Sequence, residues 1–455
     1  MVETSEESTK PPSKRIVWIY ALPRIGSSLL LGIEGFAVLT LYIDGYGLPP
    51  LLAGIALAMG YLSIAGSQFL FGWLSDHVYT KLGKRKPFLI VLSPLLCVSF
   101  IFLVLPRLIL PDLHGTMTLF IWMLVWDVIF RMSYGLTTPY QAWLAELFKT
   151  KDRPMVSAYQ NITNYLGTAI MAIFSLVILT EKYVLSIAAN LNALPLMLTI
   201  ATIPSAIISA VLFYLTVFFL PTEPRREIKV NFMQSLKTTV RNRNFLLVVL
   251  MQGISGFAWS MITPSILKYI NNVLQFQTWE TVIVAGCLVL GVVTCLFLFR
   301  RQIEKKGKKP VLLLIFILGV IFMPLTLLGL IATGHLIIGI ILAVAIGAVL
   351  GGWYLFPYII YADIAEDDEK STGDLRAGIY AGFPSIILNI FQAAGTILLG
   401  AILSIPNITV GTATFSEGLV LFGPICSGIL LASWLYTRKY VNLDFKWENK
   451  QLPSE

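Results

Sequence analysis

Apolar runs follow one another from about Ile16 to Tyr436, separated by short polar gaps. They fall near 16–44, 50–75, 88–106, 117–145, 156–180, 193–220, 245–272, 278–300, 310–331, 334–361, 377–402 and 413–437. A helix needs about 20 apolar residues to cross a ~30 Å hydrocarbon slab. Barrel strands would instead read as alternating segments of about ten residues. The pattern therefore predicts twelve membrane-spanning helices, I to XII, each satisfying its own backbone groups in lipid. The fourth and tenth runs mix in polar residues, as helices lining a wet interior do.

Positive charge orders these spans. Lys and Arg gather in the N-terminal segment, the II–III, IV–V, VI–VII, VIII–IX and X–XI gaps and the C-terminal segment. Of the 33 basic residues, all follow this rule except Arg107, Lys182 and Lys268 on the other side and Arg24 and Arg131 inside spans. Cytoplasmic loops collect Lys and Arg, so both termini are expected in the cytoplasm. The net charge of +8 reads as topology, not as a nucleic-acid patch. A chain that is 56% hydrophobic and 13% charged lies outside the soluble globular range. Cys97, Cys287, Cys295 and Cys426 all sit within apolar segments, which predicts buried packing rather than a disulfide framework. Residues 1–15 are polar and the next apolar stretch is long enough to stay in the membrane, so no cleavable signal is expected.

The chain repeats itself. Gly83-Lys84-Arg85-Lys86-Pro87 before helix III recurs as Gly307-Lys308-Lys309-Pro310 before helix IX, an offset of 224. Pro139-Tyr140 with Ala145-Glu146 recurs as Pro357-Tyr358 with Ala362-Asp363, an offset of 218. The expected organisation is a tail (1–15), a six-helix bundle (16–220), a central basic loop (221–244), a second bundle (245–437) and a tail (438–455). Two parallel six-helix halves are the arrangement of major facilitator transporters, whose site lies between the halves near the midplane. The fold class expected is thus an all-α membrane protein of two pseudo-symmetric bundles.

Tyr42-Ile43-Asp44-Gly45-Tyr46-Gly47-Leu48 and the run from Gly72-Trp73-Leu74-Ser75-Asp76 to Gly83-Lys84-Arg85-Lys86-Pro87-Phe88 resemble the glycoside–pentoside–hexuronide:cation symporters, the melibiose-carrier group. Pro139-Tyr140 to Arg153, and Ala362-Asp363 to Arg376-Ala377-Gly378-Ile379-Tyr380, are similar to its other cytoplasmic motifs. The resemblance implies cation-coupled uptake of sugars or glycosides. The chain departs from that family at its coupling positions. Helix II reads Tyr61-Leu62-Ser63-Ile64-Ala65-Gly66-Ser67-Gln68, with Gln68 standing where a carboxylate is expected. Ser27-Ser28, Thr137-Thr138 and Leu388-Asn389 replace the charges of sugar carriers in helices I, IV and XI.

Ionisable residues inside spans are the first functional candidates, because a charge at depth costs about 2.5–3.5 kcal/mol on the mildest scale. Asp127 and Arg131 share a helical face at i, i+4. They form either a local ion pair that packs helix IV or part of a substrate or gating site with Thr138. Glu34, mid-span between Gly32 and Gly35 with no basic neighbour within a turn, is the leading cation-coupling candidate. The alternative is a protonated Glu bonded to a neighbouring helix. Arg24 lies nearer the cytoplasmic end, where it snorkels or meets substrate. Gln160 and Asn164 (helix V), Gln252 and Trp259 (VII), Trp353 and Tyr354 (X), and Asn389 and Gln392 (XI) supply hydrogen bonds and aromatic walls suited to a sugar. Each amide is equally suited to bonding a neighbouring helix. Asp76, Lys84, Arg85, Glu146, Arg153, Asp363 and Arg376 read as an electrostatic gate, or as ordinary solvated charge worth ~0–1 kcal/mol per exposed pair.

His77, His114 and His335 have no ligand spacing, no nucleophilic constellation is evident, and no phosphate-cradling loop appears. The chain is therefore expected to be neither an enzyme nor an ATP-driven pump, and to need no cofactor beyond a coupling ion, H+ before Na+. The leading reading is a plasma-membrane symporter, monomeric, that moves a sugar or glycoside-like solute by alternating access. Transport of an amphipathic lipid such as a lysolipid, and a non-transporting receptor or scaffold, remain as alternatives.

Overall fold

The computed structural model describes residues 13–110, 113, 115–148, 152–222, 240–331, 335–372 and 377–443. Among them, eleven helices are long and apolar enough to cross a membrane. A twelfth crossing is made if Met155–Leu176 and Glu181–Ala189, bent by 58°, count as one span. Helix I is Lys14–Ala21 and Pro23–Thr40, II is Pro50–His77, III is Lys86–Val104 and IV is Thr116–Tyr134 and Thr137–Leu147. V is Arg153–Ile173, VI Leu196–Phe219, VII Arg243–Tyr269 and VIII Thr278–Lys306. IX is Lys308–Phe322, X Leu336–Thr372, XI Ala377–Leu403 and XII Gly418–Tyr440.

Local chemistry sets the boundaries. Proline opens helix II, and proline lies in the first turn of III and V, where its missing N–H costs nothing. The Asn242 side chain caps helix VII by accepting from Phe245 N at 3.1 Å. Gln277 and Glu280 form a reciprocal capping box on helix VIII. Gly83 and Gly307, the repeated glycines, both turn in the left-handed region, at φ 95° and 82°. A side chain there would be strained, so the repeat encodes one backbone turn used twice.

Two expected rods are broken. Helix I divides before Pro23, and helix IV divides at Gly135-Leu136. In helix IV the ring of Pro139 would collide with the Gly135 carbonyl in a continuous helix. The chain passes instead through short turns, with Gly135 N bonded to Met132 O and Leu136 N to Ser133 O, each at 3.0 Å. Helix X runs further than the apolar pattern indicated, carrying Asp363 within its last turns. Between XI and XII a small antiparallel hairpin appears, Asn407–Val410 with Ala413–Ser416.

The packing repeats as the motifs do. Helix II lies along IV as VIII lies along X, and I packs on V and VI as VII packs on XI and XII. Helices II and XI make the broadest contact between the halves. Its tightest point is glycine on glycine. A Cβ on Gly54 would sit 2.4 Å from Thr396 O, and one on Gly400 would sit 2.6 Å from Pro50 O. This point lies at the end of the molecule opposite the basic loops.

Candidate functional site

Three ionisable side chains from two helices meet inside the first half. Arg131 of helix IV donates to Glu34 of helix I from Nε at 3.1 Å and from Nη2 at 2.7 Å to Oε1 and 2.8 Å to Oε2. The side chains are 3% and 0% exposed. Asp127, one turn before Arg131, places Oδ2 3.8 Å from its Nε and is also fully buried. Among the described residues neither Asp127 oxygen accepts a hydrogen bond. The i, i+4 pair expected in helix IV therefore exists, but the guanidinium is committed to Glu34. The guanidinium carbon also stands 3.7 Å from the centre of the Tyr61 ring, a cation–π contact strengthened by desolvation. Helix II closes the cluster with bare backbone: a Cβ on Gly60 would lie 1.9 Å from Asp127 Oδ2 and 2.6 Å from Arg131 Cδ.

The remaining candidates fall into separate groups. With the Gln141 amide oxygen turned toward it, Arg24 donates from Nη2 at 2.6 Å and Nε at 3.1 Å. Gln160 donates to the Tyr140 hydroxyl at 3.1 Å, and Tyr20 OH to Tyr140 O at 2.9 Å. Gln160 thus ties helix V to the break in helix IV. Asn164 accepts from Ser28, holding V against I. The Thr138 methyl stands 3.0 Å from where a Gly72 Cβ would be, packing IV on II. Gln68 is half-buried, about two turns along helix II from Tyr61.

In the second half, Trp259 and Trp353 stack with centroids 5.8 Å apart at 30°. Both are buried, and the Trp259 indole N–H has no acceptor among the described residues. Asn389 donates back to Ser385 O at 2.6 Å on its own helix, just beyond Pro384. The carbon chain of Gln392 lies 3.7 Å from the Cβ position of Gly256 on helix VII. Gln160 and Asn164 on V are engaged within the first half, and Asn389 on XI within its own helix. Asp76, Arg153, Tyr354 and Arg376 lie outside the described side chains or residues.

The gate candidates form one clasp per half. Lys84 Nζ and Arg85 Nη2 each reach Glu146 Oε1 at 2.7 Å, and Arg85 Nη1 also bonds Ser75. In the second half Lys308 Nζ holds Asp363 Oδ2 at 2.6 Å. These pairs tie the basic turn of a half to the end of its own helix IV or X. Burial pushes the Glu146 carboxyl up, but the Arg85 and Lys84 charges outweigh it and hold it below its ordinary value of 4.5. A carboxylate depressed on folding stabilises fully above its unfolded value and loses that contribution as pH falls through the folded one. Glu146→Gln is accordingly expected to lower the melting temperature at pH 7 and to converge on wild type below pH 4.5, as thermal melts across pH would show. A difference that grew on acidification would contradict the clasp.

Sequence reasoning missed Gly60, Tyr61 and a second ion pair. Lys268 lies inside helix VII, 3% exposed, at the end away from the basic loops, and pairs with Asp44 of helix I. The signal was present: a lysine in the last turn of an apolar span.

The fold and sequence have recognisable relatives. A profile described as MFS/sugar transport protein matches residues 19–432. A D-xylose–proton symporter superposes with TM-score 0.67 at 13% identity, over 94% of this chain and 97% of that one. The nucleoside transporter NupG gives 0.61 at 12%, over 94% and 100%, and the inward-open xylose transporter XylE from E. coli gives 0.63 at 15%, over 95% and 97%. No curated protein matches by sequence. At such identities the structures establish the fold alone: two six-helix bundles of the major facilitator type. The sequence match spans both bundles and the buried cluster between helices I and IV, and the chain belongs to the MFS/sugar transport protein family.

Proposed function

We propose that this secondary transporter couples proton entry to uptake of a sugar or glycoside-like solute at the plasma membrane. Its halves, 16–220 and 245–437, rock about the central cleft with both termini cytoplasmic. The Glu34–Arg131–Asp127 cluster carries the reading. Two carboxyl groups share one guanidinium in a site closed to water, leaving one negative charge in excess when both acids are ionised. Isolated buried charge is costly, so the cluster calls for one more cation. A proton on Asp127 would neutralise that excess charge and give a donor to a carboxyl that accepts no hydrogen bond among the described residues. A sodium ion would need a shell of several oxygens, and both Glu34 oxygens are already taken by Arg131.

For the solute, the buried, stacked Trp259–Trp353 pair offers aromatic faces and an indole donor without an acceptor among the described residues, the combination that holds a sugar ring by its apolar face and a hydroxyl. A second reading, an amphipathic lipid, draws on a wholly apolar crevice at the seam between the halves, closed down in this structure to about 20 Å³ of open space. Phe36 and Leu176 face it from one half, and Ile270, Leu288, Ala343 and Phe422 from the other.

Proteoliposomes supplied with labelled sugars, glycosides and lysolipids under an imposed pH or sodium gradient test both readings. Accumulation is expected to follow the pH gradient and to vanish in Glu34→Gln, while energy-independent exchange survives. Dependence on sodium would sink the proton assignment. Lipid uptake without competition by sugars would install the second reading.

A further inference from the structure

Helices I, V and VII end, at the face opposite the basic loops, in π-helical turns: Leu41–Gly45, Phe174–Ile178 and Ile270–Leu274. Such turns are rare and concentrate at functional sites. These three converge on the seam between the halves. Lys268, one residue before the last helical residue of VII, pairs with Asp44 in the first π turn. Asn272 donates to the other Asp44 oxygen at 3.2 Å. Asn271 donates at 2.9 Å to the carbonyl of Leu179, freed because helix V has ended there. Gln275 reaches Glu181 at 3.5 Å.

We infer that the Asp44–Lys268 pair is a latch that holds this face shut and parts as a unit when the halves rock. The inference rests on the alternating-access reading. The Lys268 side chain is 4% exposed and that of Asp44 17%, so closure desolvates both charges. For a buried pair, mutual attraction and desolvation nearly cancel. The closed pair and the hydrated open pair therefore lie close in free energy, as a reversible gate requires. The two asparagines set the register, so the halves close in one alignment. Asp44 stands ten residues beyond Glu34 on helix I, about 15 Å along the axis at 1.5 Å per residue. The closed latch thus seals the Glu34 cluster from this face. Removing one partner leaves the other charge buried and alone, which favours the open face.

The test uses full-length protein in nanodiscs with its four cysteines changed to alanine. Nitroxide labels go on Ser186→Cys and Thr412→Cys, both exposed on this face and in opposite halves, and their separation is read by electron–electron double resonance. Wild type is expected to populate chiefly the short distance. Asp44→Asn should raise the long-to-short ratio by about tenfold or more. Asp44→Asn with Lys268→Gln should return part of that change, and the reversed pair Asp44→Lys with Lys268→Asp should restore the short distance, which separates a latch from simple damage to folding. Two populations unmoved by Asp44→Asn would overturn the latch alone. A single unchanged distance in every variant would remove the latch together with the rocking motion beneath it.

Discussion

Arg131→Gln is expected to abolish uptake and to destabilise the protein by about 3–5 kcal/mol, the cost of breaking a buried ion pair by removing one partner. The size follows from what remains behind. Glu34 loses three donor contacts, and two carboxyl groups are left in a site with no counter-charge. Arg131→Lys keeps the charge but not the fork that holds both Glu34 oxygens, and should fall between. The double variant Arg131→Gln with Glu34→Gln removes the charge imbalance except at Asp127, which a proton neutralises. It should therefore be more stable than Arg131→Gln alone, a non-additivity expected of groups in contact. Thermal unfolding followed by size-exclusion chromatography measures the stability, and proteoliposome uptake measures the activity. An Arg131→Gln protein that melts like wild type would show that the cluster is not a closed electrostatic unit.

Gly60→Ala is the second severe change expected. The added methyl would stand 1.9 Å from Asp127 Oδ2, closer than any real contact. The atoms it would meet, Asp127 Oδ2 and, at 2.6 Å, Arg131 Cδ, belong to the buried cluster itself, so relieving the clash means moving those groups. Overpacking of this kind costs about 1–3 kcal/mol, and the separation of helices II and IV that relieves it would also loosen the Arg131–Tyr61 contact. Gly66→Ala on the same helix is the control, since nothing lies within 4 Å of its Cβ position. Equal effects of the two changes on melting temperature and uptake would argue against a tight helix II–IV approach at the cluster.

How far the fold was readable from residues alone varies by element. The basic turns at Gly83 and Gly307 were legible because a glycine, two or three cations and a proline are a local code, and both glycines do take the left-handed turn. The break in helix IV was not, although Pro139 lies in plain view, because Pro357 in the matching position leaves helix X unbroken. Glu34 stood out as a lone acid within its own turn of helix, and within that turn it is alone. Its partner arrives from 97 positions along the chain, and no periodicity within one helix reports on a neighbour at that separation. The amides of helices V and XI matched a sugar site by type, yet Asn164 and Asn389 bond Ser28 and Ser385, since a neighbouring helix and the helix's own carbonyls compete for the same donors and acceptors.

Hydropathy and charge along the chain by themselves determined the number of crossings and the pairing of the two halves. Both follow from a free energy paid residue by residue: apolar length against a fixed slab, and cations kept to one side. Only the tertiary structure decided which charges neutralise one another, Arg131 with Glu34, Lys268 with Asp44 and Lys84 with Glu146. Coulomb energy depends on separation in space and on exclusion of water, and both are set by how the helices pack.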